Sequence, residues 1–276
     1  MENIGGQALI EGVLMRNKDL IGIAVRKSNG DIKTKKQEFK LFKKFKNIIF
    51  LRGLFVLLET LYLGTKALIY SANEASDEGE KISTKEIFFS IFLSILFGIG
   101  FFIVLPLFLT RLVVNNGILF NVIDGLIRVF VFIIYIIFIS FMKDIKRVFQ
   151  YHGAEHMAVH CYENKNNLTI DNCRKYSTIH VRCGTNFLFI VLILSIIIFS
   201  FINNNEWYLK LLSRIILIPV IASLSYEFLK LSSKFENFFL IRILTKPGLL
   251  LQKITTKKPD DKQIEVAISA LRLVIK

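Results

Sequence analysis

Apolar stretches long enough to cross a bilayer alternate along this chain with short polar turns and longer basic segments. Residues 86–109 form an almost unbroken apolar run of about 24 residues, roughly 36 Å as a helix and sufficient for a membrane span. Further spans are predicted over 118–142, over a shorter run at 187–202, and over 209–231, which contains Arg214, Pro219 and Glu227. The run at 48–70 differs, because Arg52, Glu59 and Lys66 interrupt it and would be costly at mid-bilayer. It reads as a helix lying at the interface or packed on the bundle, with a span as the alternative. Ahead of it, 21–26 and 32–36 flank Ser28-Asn-Gly-Asp31, and Asn-Gly between two such runs predicts a small β-hairpin. At the other end, Ile264, Ala267, Ile268, Leu271 and Val274 recur at a helical period, predicting an amphipathic helix over 263–275 capped by Asp260 or Asp261.

The expected architecture is mainly α, a polytopic membrane protein with about four transmembrane helices, an interfacial helix, a small N-terminal β-hairpin and a cytoplasmic His/Cys segment. Residues 1–46 form the N-terminal segment, 47–85 the interfacial helix and an acidic linker, and 86–142 the first two spans. The His/Cys segment occupies 143–186, the last two spans 187–231, and a tail with the amphipathic helix 232–276. Composition agrees: 53% hydrophobic residues and 26 Phe in 276 positions are too apolar for an ordinary soluble domain.

The net charge of +14 comes from lysines and arginines flanking apolar segments, where the positive-inside rule and anionic headgroups account for them, and no nucleic-acid-binding motif is visible. Membrane lipids are the expected partners, nucleic acid is not, and a homo-oligomer is left open. The loops joining the first span to the second and the third to the fourth hold at most one basic residue each, Arg111 and Lys210. The N-terminal region, 143–186 and the tail are basic, which places both termini and the His/Cys segment on the cytoplasmic side of the inner membrane. Met1-Glu-Asn-Ile-Gly lacks the charged start and apolar run of a secretory signal, so the three cysteines are expected to be reduced thiols.

All four histidines and all three cysteines fall between His152 and Cys183. Ile145, Val148 and Phe149 continue the second span past the membrane, with only Gly153 as a weak point before Glu163. On that helical extension His152, Glu155, His156, His160 and Glu163 project within one arc of roughly 140°, at about 100° per residue. Imidazoles four apart can grip one ion while an adjoining carboxylate polarises a bound water, and His152-x-x-Glu155-His156 is the inverted zincin pattern. In that class a downstream glutamate completes the site, a role open to Glu163 or Glu227.

His180-Val-Arg-Cys183, just before the third span, has three readings: further metal ligands, a Cys nucleophile with a His base, or an ordinary turn into the membrane. Arg182 either holds an anionic group or snorkels at the surface, and Cys161 and Cys173 read as small buried residues. Asp124 and Arg128, four apart inside the second span, can pair on one helix face. Glu11, within a glycine-rich run, sits either in a packed place that close backbone approach creates or in a tight turn before a strand.

At these residues the chain resembles the YqhQ-like family, bacterial integral membrane proteins of unknown function described as predicted metal-dependent enzymes. The resemblance rests on Gly5-Gly-Gln-Ala-Leu-Ile-Glu-Gly-Val-Leu-Met-Arg16, Arg52-Gly53, Tyr151-His-Gly-Ala-Glu-His156 and His180-Val-Arg-Cys-Gly-Thr185. Ser225-Tyr-Glu227, Thr255-Thr-Lys-Lys-Pro-Asp-Asp261 and Glu265-Val-Ala267 complete it, so that it covers nearly the whole chain. Val181 departs from the family's usual proline after the histidine, and His160 lies outside the family pattern. The resemblance implies a metal site and supplies no substrate. The expected function is a zinc-dependent, membrane-embedded hydrolase with His152 and His156 as ligands, Glu155 as general base or a ligand, and His180 or Cys183 completing the shell. Glu163, Glu227, Glu11 and Arg182 are further candidates for the site. The alternative is a non-enzymatic scaffold or biogenesis factor in which the metal is structural.

Overall fold

The computed structural model describes residues 4–41, 48–49, 51–76, 83–115, 117–202, 206–235 and 238–275. Residues 42–47, at the end of the basic run, and the acidic linker residues Asp77, Glu78 and Glu80 lie outside them. The chain opens with β1 (Ile4–Leu9), β2 (Gly12–Asn17), β3 (Leu20–Arg26) and β4 (Ile32–Glu38), an antiparallel meander in the order β1-β2-β3-β4. The hairpin predicted around Asn29-Gly30 is the β3–β4 turn, with Gly30 at φ +92°, and two further strands precede it. Periodicity hides β1 and β2 because this sheet is covered on both faces. Val13, Met15 and Ala24 join one core, whereas Leu9, Leu14, Ile21, Ile23 and Val25 join another with Leu63 and Ala67.

Helix α1 (Leu51–Ala75) belongs to that second core. It is long and apolar enough to cross a membrane, which the interfacial reading of 48–70 did not favour. Two of the three charges behind that reading are met inside the protein, while Lys66 is exposed: Glu59, buried, accepts from Arg16 of β2 at 2.6 Å, and Arg52 forms a two-pronged pair with Glu227. Next comes a rod over Thr84–Arg111, made of α2 (Thr84–Ile99), a π-helical turn (Gly100–Val104) and α3 (Leu105–Arg111). Ser83 and Glu86 form its capping box. None of its most apolar window is buried against the protein, so a row of exposed Phe, Ile and Leu side chains needs an apolar solvent.

Helices α4 (Gly117–Ile139) and α8 (Trp207–Lys234) are the other two candidate spans, bringing the described total to four. The predicted third span is instead α7 (Gly184–Ser200), a shorter apolar helix packed among α4, α8 and α9 (Phe239–Thr255). The Asp124–Arg128 pair forms at 2.9 Å and is joined by Arg214 of α8. α4 does not run on into the His/Cys segment. It ends at Ile139, Met142 is extended (ψ 131°), and a separate helix α5 (Lys143–Glu163) begins. Ser140 Oγ donates to the Ile137 carbonyl at the break, a competition with the helical ladder that serines offer.

After the short α6 (Ile170–Cys173) and the α7–α9 bundle, α10 (Asp261–Arg272) closes the fold. Asp260 caps it through a box with Gln263, and its predicted apolar face is buried throughout. That face packs against α5 and strands β2 and β3, so the tail helix is a core element. Gly22 and Gly153 set two of the closest approaches, since a Cβ on Gly22 would lie 2.6 Å from the Ala270 carbonyl and one on Gly153 2.1 Å from the Lys257 carbonyl. Gly153→Ala is therefore expected to cost about 1–3 kcal/mol through overpacking. Gly98→Ala, where a Cβ meets nothing within 4 Å, is expected to be neutral or to gain up to about 1 kcal/mol of helix propensity. Thermal unfolding of the two detergent-purified variants checks the contrast.

Candidate metal centre

One face of α5 carries the polar stripe, and three other parts of the chain close over it. His152 Nδ1 donates to the Thr255 carbonyl at the end of α9 (2.9 Å), and His156 Nδ1 donates to the Thr178 carbonyl in the loop before α7 (2.5 Å). A carbonyl only accepts, so in both rings Nδ1 carries the proton and Nε2 holds the free lone pair. The two rings lie 4.5 Å apart between centroids. Cys183, the N-cap of α7, brings its Sγ to 3.2 Å from His152 Nε2, and one donor atom each from His152, His156 and Cys183 fall within 4.8 Å of one another.

Glu155 Oε2 lies 3.7 Å from His156 Nε2 and 4.0 Å from His152 Nε2. Over it runs β1, and a Cβ on Gly6 would stand 2.7 Å from the Glu155 side chain, so any larger residue there displaces the carboxyl. Between Gly5, Gly6 and the four site side chains remains a cleft of about 90 Å³, room for a few waters or a small group at roughly 30 Å³ per water. Burial governs the titration of this cleft. It pushes the Glu155 carboxyl up to about 7, an effect that His152 partly opposes. It pushes the Cys183 thiol up to about 11, against the hydrogen bonds from Thr185. It holds His156 well below the usual imidazole range, with help from the His152 charge.

His180 lines the same cleft from the loop before α7. Its Nδ1 accepts from the Arg182 backbone N–H (3.2 Å), and its Nε2–H faces Glu163 Oε2 at 3.2 Å. Both ring nitrogens thus have partners in this arrangement, and His180 forms one wall of the cleft. His160, Glu163 and His180 form a second group of possible ligands beside the first, with His160 Nε2 donating to the Ile179 carbonyl. Arg182 lines the cleft and pairs with Glu163.

The structure does not bring Glu227 or Glu11 to the cleft. Glu227 ties α8 to α1 through Arg52. Glu11, at φ +49° in the β1–β2 turn, accepts from Arg147 and, at 3.1 Å, from the Tyr151 hydroxyl, so it clamps the sheet onto α5. Burial together with the Glu11 charge accordingly raises the Tyr151 phenol above its usual range.

Sequence reasoning missed Gln252, whose side chain accepts from His180 N (2.8 Å) and donates to His180 O (2.9 Å), fixing the loop that carries Cys183. It also missed the carbonyl partners Thr178 and Thr255, although Thr255 opens one of the motifs on which the family resemblance rests.

Fold and site together define a mainly helical protein with four helices long and apolar enough to cross a membrane, whose N-terminal sheet closes a buried His–Cys–Glu cleft. The chain belongs to the family described as protein of unknown function (DUF1385), whose model matches residues 48–276. It is 34% identical over 296 aligned positions to the uncharacterized protein YqhQ of Bacillus subtilis (strain 168), covering 99% of this chain and 92% of that protein. No solved structure matches it.

A carboxyl whose pKa rises from 4.5 to about 7 on folding binds more protons in the native than in the unfolded state across that window. Its stability contribution is present at low pH and is lost as pH rises through about 7. In chelator-treated protein, Glu155→Gln is therefore expected to gain stability over wild type by a few kcal/mol at pH 8 and by little at pH 4.5. Thermal melts of both proteins across that range test the sign.

Proposed function

We propose that this protein is a metal-dependent hydrolase of the bacterial inner membrane, with zinc held by His152, His156 and Cys183 at the cytoplasmic surface. The observation that carries the reading is the convergence of two imidazole Nε2 atoms and a thiol, both imidazoles oriented by carbonyls behind them. The mixture of nitrogen and sulfur donors suits zinc. When bound, the ion supplies Lewis acidity and lowers the pKa of a coordinated water.

Glu155 stands beside the meeting point of the donors with its carboxyl raised to about 7, so at neutral pH it can take up a proton and return it. The glycines of β1 exclude bulk water from it while leaving a small volume free. A structural centre closes its shell with four protein ligands. Here three donors converge and the lone pair of His180 is engaged by Arg182, which favours catalysis over the scaffold reading. The surface location is supported by α7 starting directly after Cys183 and by the basic residues on this side. The 3.2 Å contact between His152 and Cys183 also suits a thiol–imidazole pair, but burial keeps the thiol protonated and so a poor nucleophile.

Elemental analysis of protein purified without chelators is expected to give about one zinc per chain, lost in His156→Ala and in Cys183→Ala. Glu155→Gln is expected to keep the metal and lower hydrolysis by about 10²–10⁴-fold. Titrating zinc into chelated protein near neutral pH is expected to release a proton from the Cys183 thiol, a release absent in Cys183→Ser. Wild-type protein without metal, or His156→Ala retaining it in full, overturns the proposal.

A further inference from the structure

Away from the His/Cys cleft, a second cavity of about 360 Å³ opens among α2, the π-helical turn, α4, α7 and α8. Its walls are apolar apart from Ser195 and two arginines, Arg128 and Arg214. Both arginines are buried, and among the described residues a single carboxylate faces them: Asp124 Oδ2 accepts from Arg128 at 2.9 Å and from Arg214 at 3.1 Å. Asn121 takes one further guanidinium proton of Arg214 at 2.7 Å. The cluster of two guanidiniums and one carboxylate therefore keeps an excess positive charge in an apolar wall. Phe199 offers its ring face to both, 4.8 Å from Arg214 Cζ and 5.3 Å from Arg128 Cζ, which stabilises a cation without neutralising it. Arg128 Nε has no acceptor among the described residues.

An uncompensated charge inside a span is costly, and guanidinium forks match carboxylate oxygens. We infer that this cavity binds the anion of a long-chain fatty acid, its carboxylate on Arg128 and Arg214 and its chain along the apolar wall. Depth and size select a single-chain carboxylate over a phospholipid. Asp124 lies about 10 Å along α4 from its start at Gly117, at about 1.5 Å per residue, which is below the level of headgroup phosphates. A volume of about 360 Å³ is near the lower end of ligand sites and leaves no space for a glycerol head with two chains.

Native mass spectrometry of the detergent-solubilised protein with added oleate, oleyl alcohol or phosphatidylglycerol tests the assignment. Oleate is expected to be retained at least roughly tenfold better than oleyl alcohol, which has the chain without the charge. Arg128→Met is expected to remove that preference and Asp124→Asn, which raises the excess charge, to strengthen it. Should either variant fail to fold, Gly98→Phe gives an independent arm. Gly98 lines the cavity, a Cβ there meets nothing within 4 Å, and the ring would fill the volume while leaving the ion cluster intact. Loss of oleate in Gly98→Phe supports the site. Equal retention of oleate and oleyl alcohol, undiminished oleate in Gly98→Phe, or retention of phosphatidylglycerol in place of oleate overturns it.

Discussion

Burying the polar stripe of α5 is the constraint on which the compact half of this protein depends. Tyr151, Glu155 and His156 are all sealed from solvent, and each polar atom taken out of water needs a partner that some other element supplies. The end of α9 gives the Thr255 carbonyl to His152, and the loop before α7 gives the Thr178 and Ile179 carbonyls to His156 and His160. The β1–β2 turn supplies Glu11 to Tyr151. Glu155 is the exception, enclosed by backbone glycine and imidazole rings, and so its affinity for a proton rises. The same enclosure that stabilises the fold thereby leaves one group poised to exchange protons at neutral pH.

The apolar half obeys the opposite solvent rule. The Thr84–Arg111 rod shows its side chains outward, and polar groups in the bundle are gathered inward on Asp124, Arg128 and Arg214. The two halves meet through α1, whose Gly53 lies against Ser223 of α8 and whose Gly64 lies against Gln7 of β1. Small residues at both contacts let one helix pack on the apolar bundle and on the sheet, with Arg52–Glu227 and Arg16–Glu59 fixing its register.

The site core was legible in the sequence because its ligand residue types are rare elsewhere in the chain and because i, i+4 spacing on a helix dictates proximity. His152, Glu155, His156 and Cys183 are together as that spacing and the turn before α7 implied. His180 lines the cleft, where its Nδ1 accepts from a backbone N–H and its Nε2 faces Glu163, partners no residue pattern reveals. The glycines of β1 signalled close approach, but only the fold shows that Gly6 faces Glu155 while Glu11 faces Arg147. Among the spans, hydropathy located the apolar runs, and α1 joins them as a fourth helix long and apolar enough to cross a membrane. Pairing inside the protein offsets two of its charges, Arg52 and Glu59. The break at Met142 coincides with the end of the apolar run, where Lys143 and Asp144 follow, but the change of backbone angle that separates α4 from α5 has no sequence signal of its own.

Asn17 of β2 donates to the Val274 carbonyl across 257 positions of chain, and Ile4 shares a core with Leu271. In a growing polypeptide these partners are separated by nearly the whole time of synthesis, with every apolar helix emerging between them. The first strands therefore wait at the surface of the ribosome or membrane with their inner face uncovered, and the last turn of α9 and α10 must arrive before the stripe of α5 is enclosed. The cleft is consequently a late product of biogenesis. The meeting of His152, His156 and Cys183 is timed to chain completion, and a prematurely terminated chain lacks the Thr255 carbonyl that orients His152.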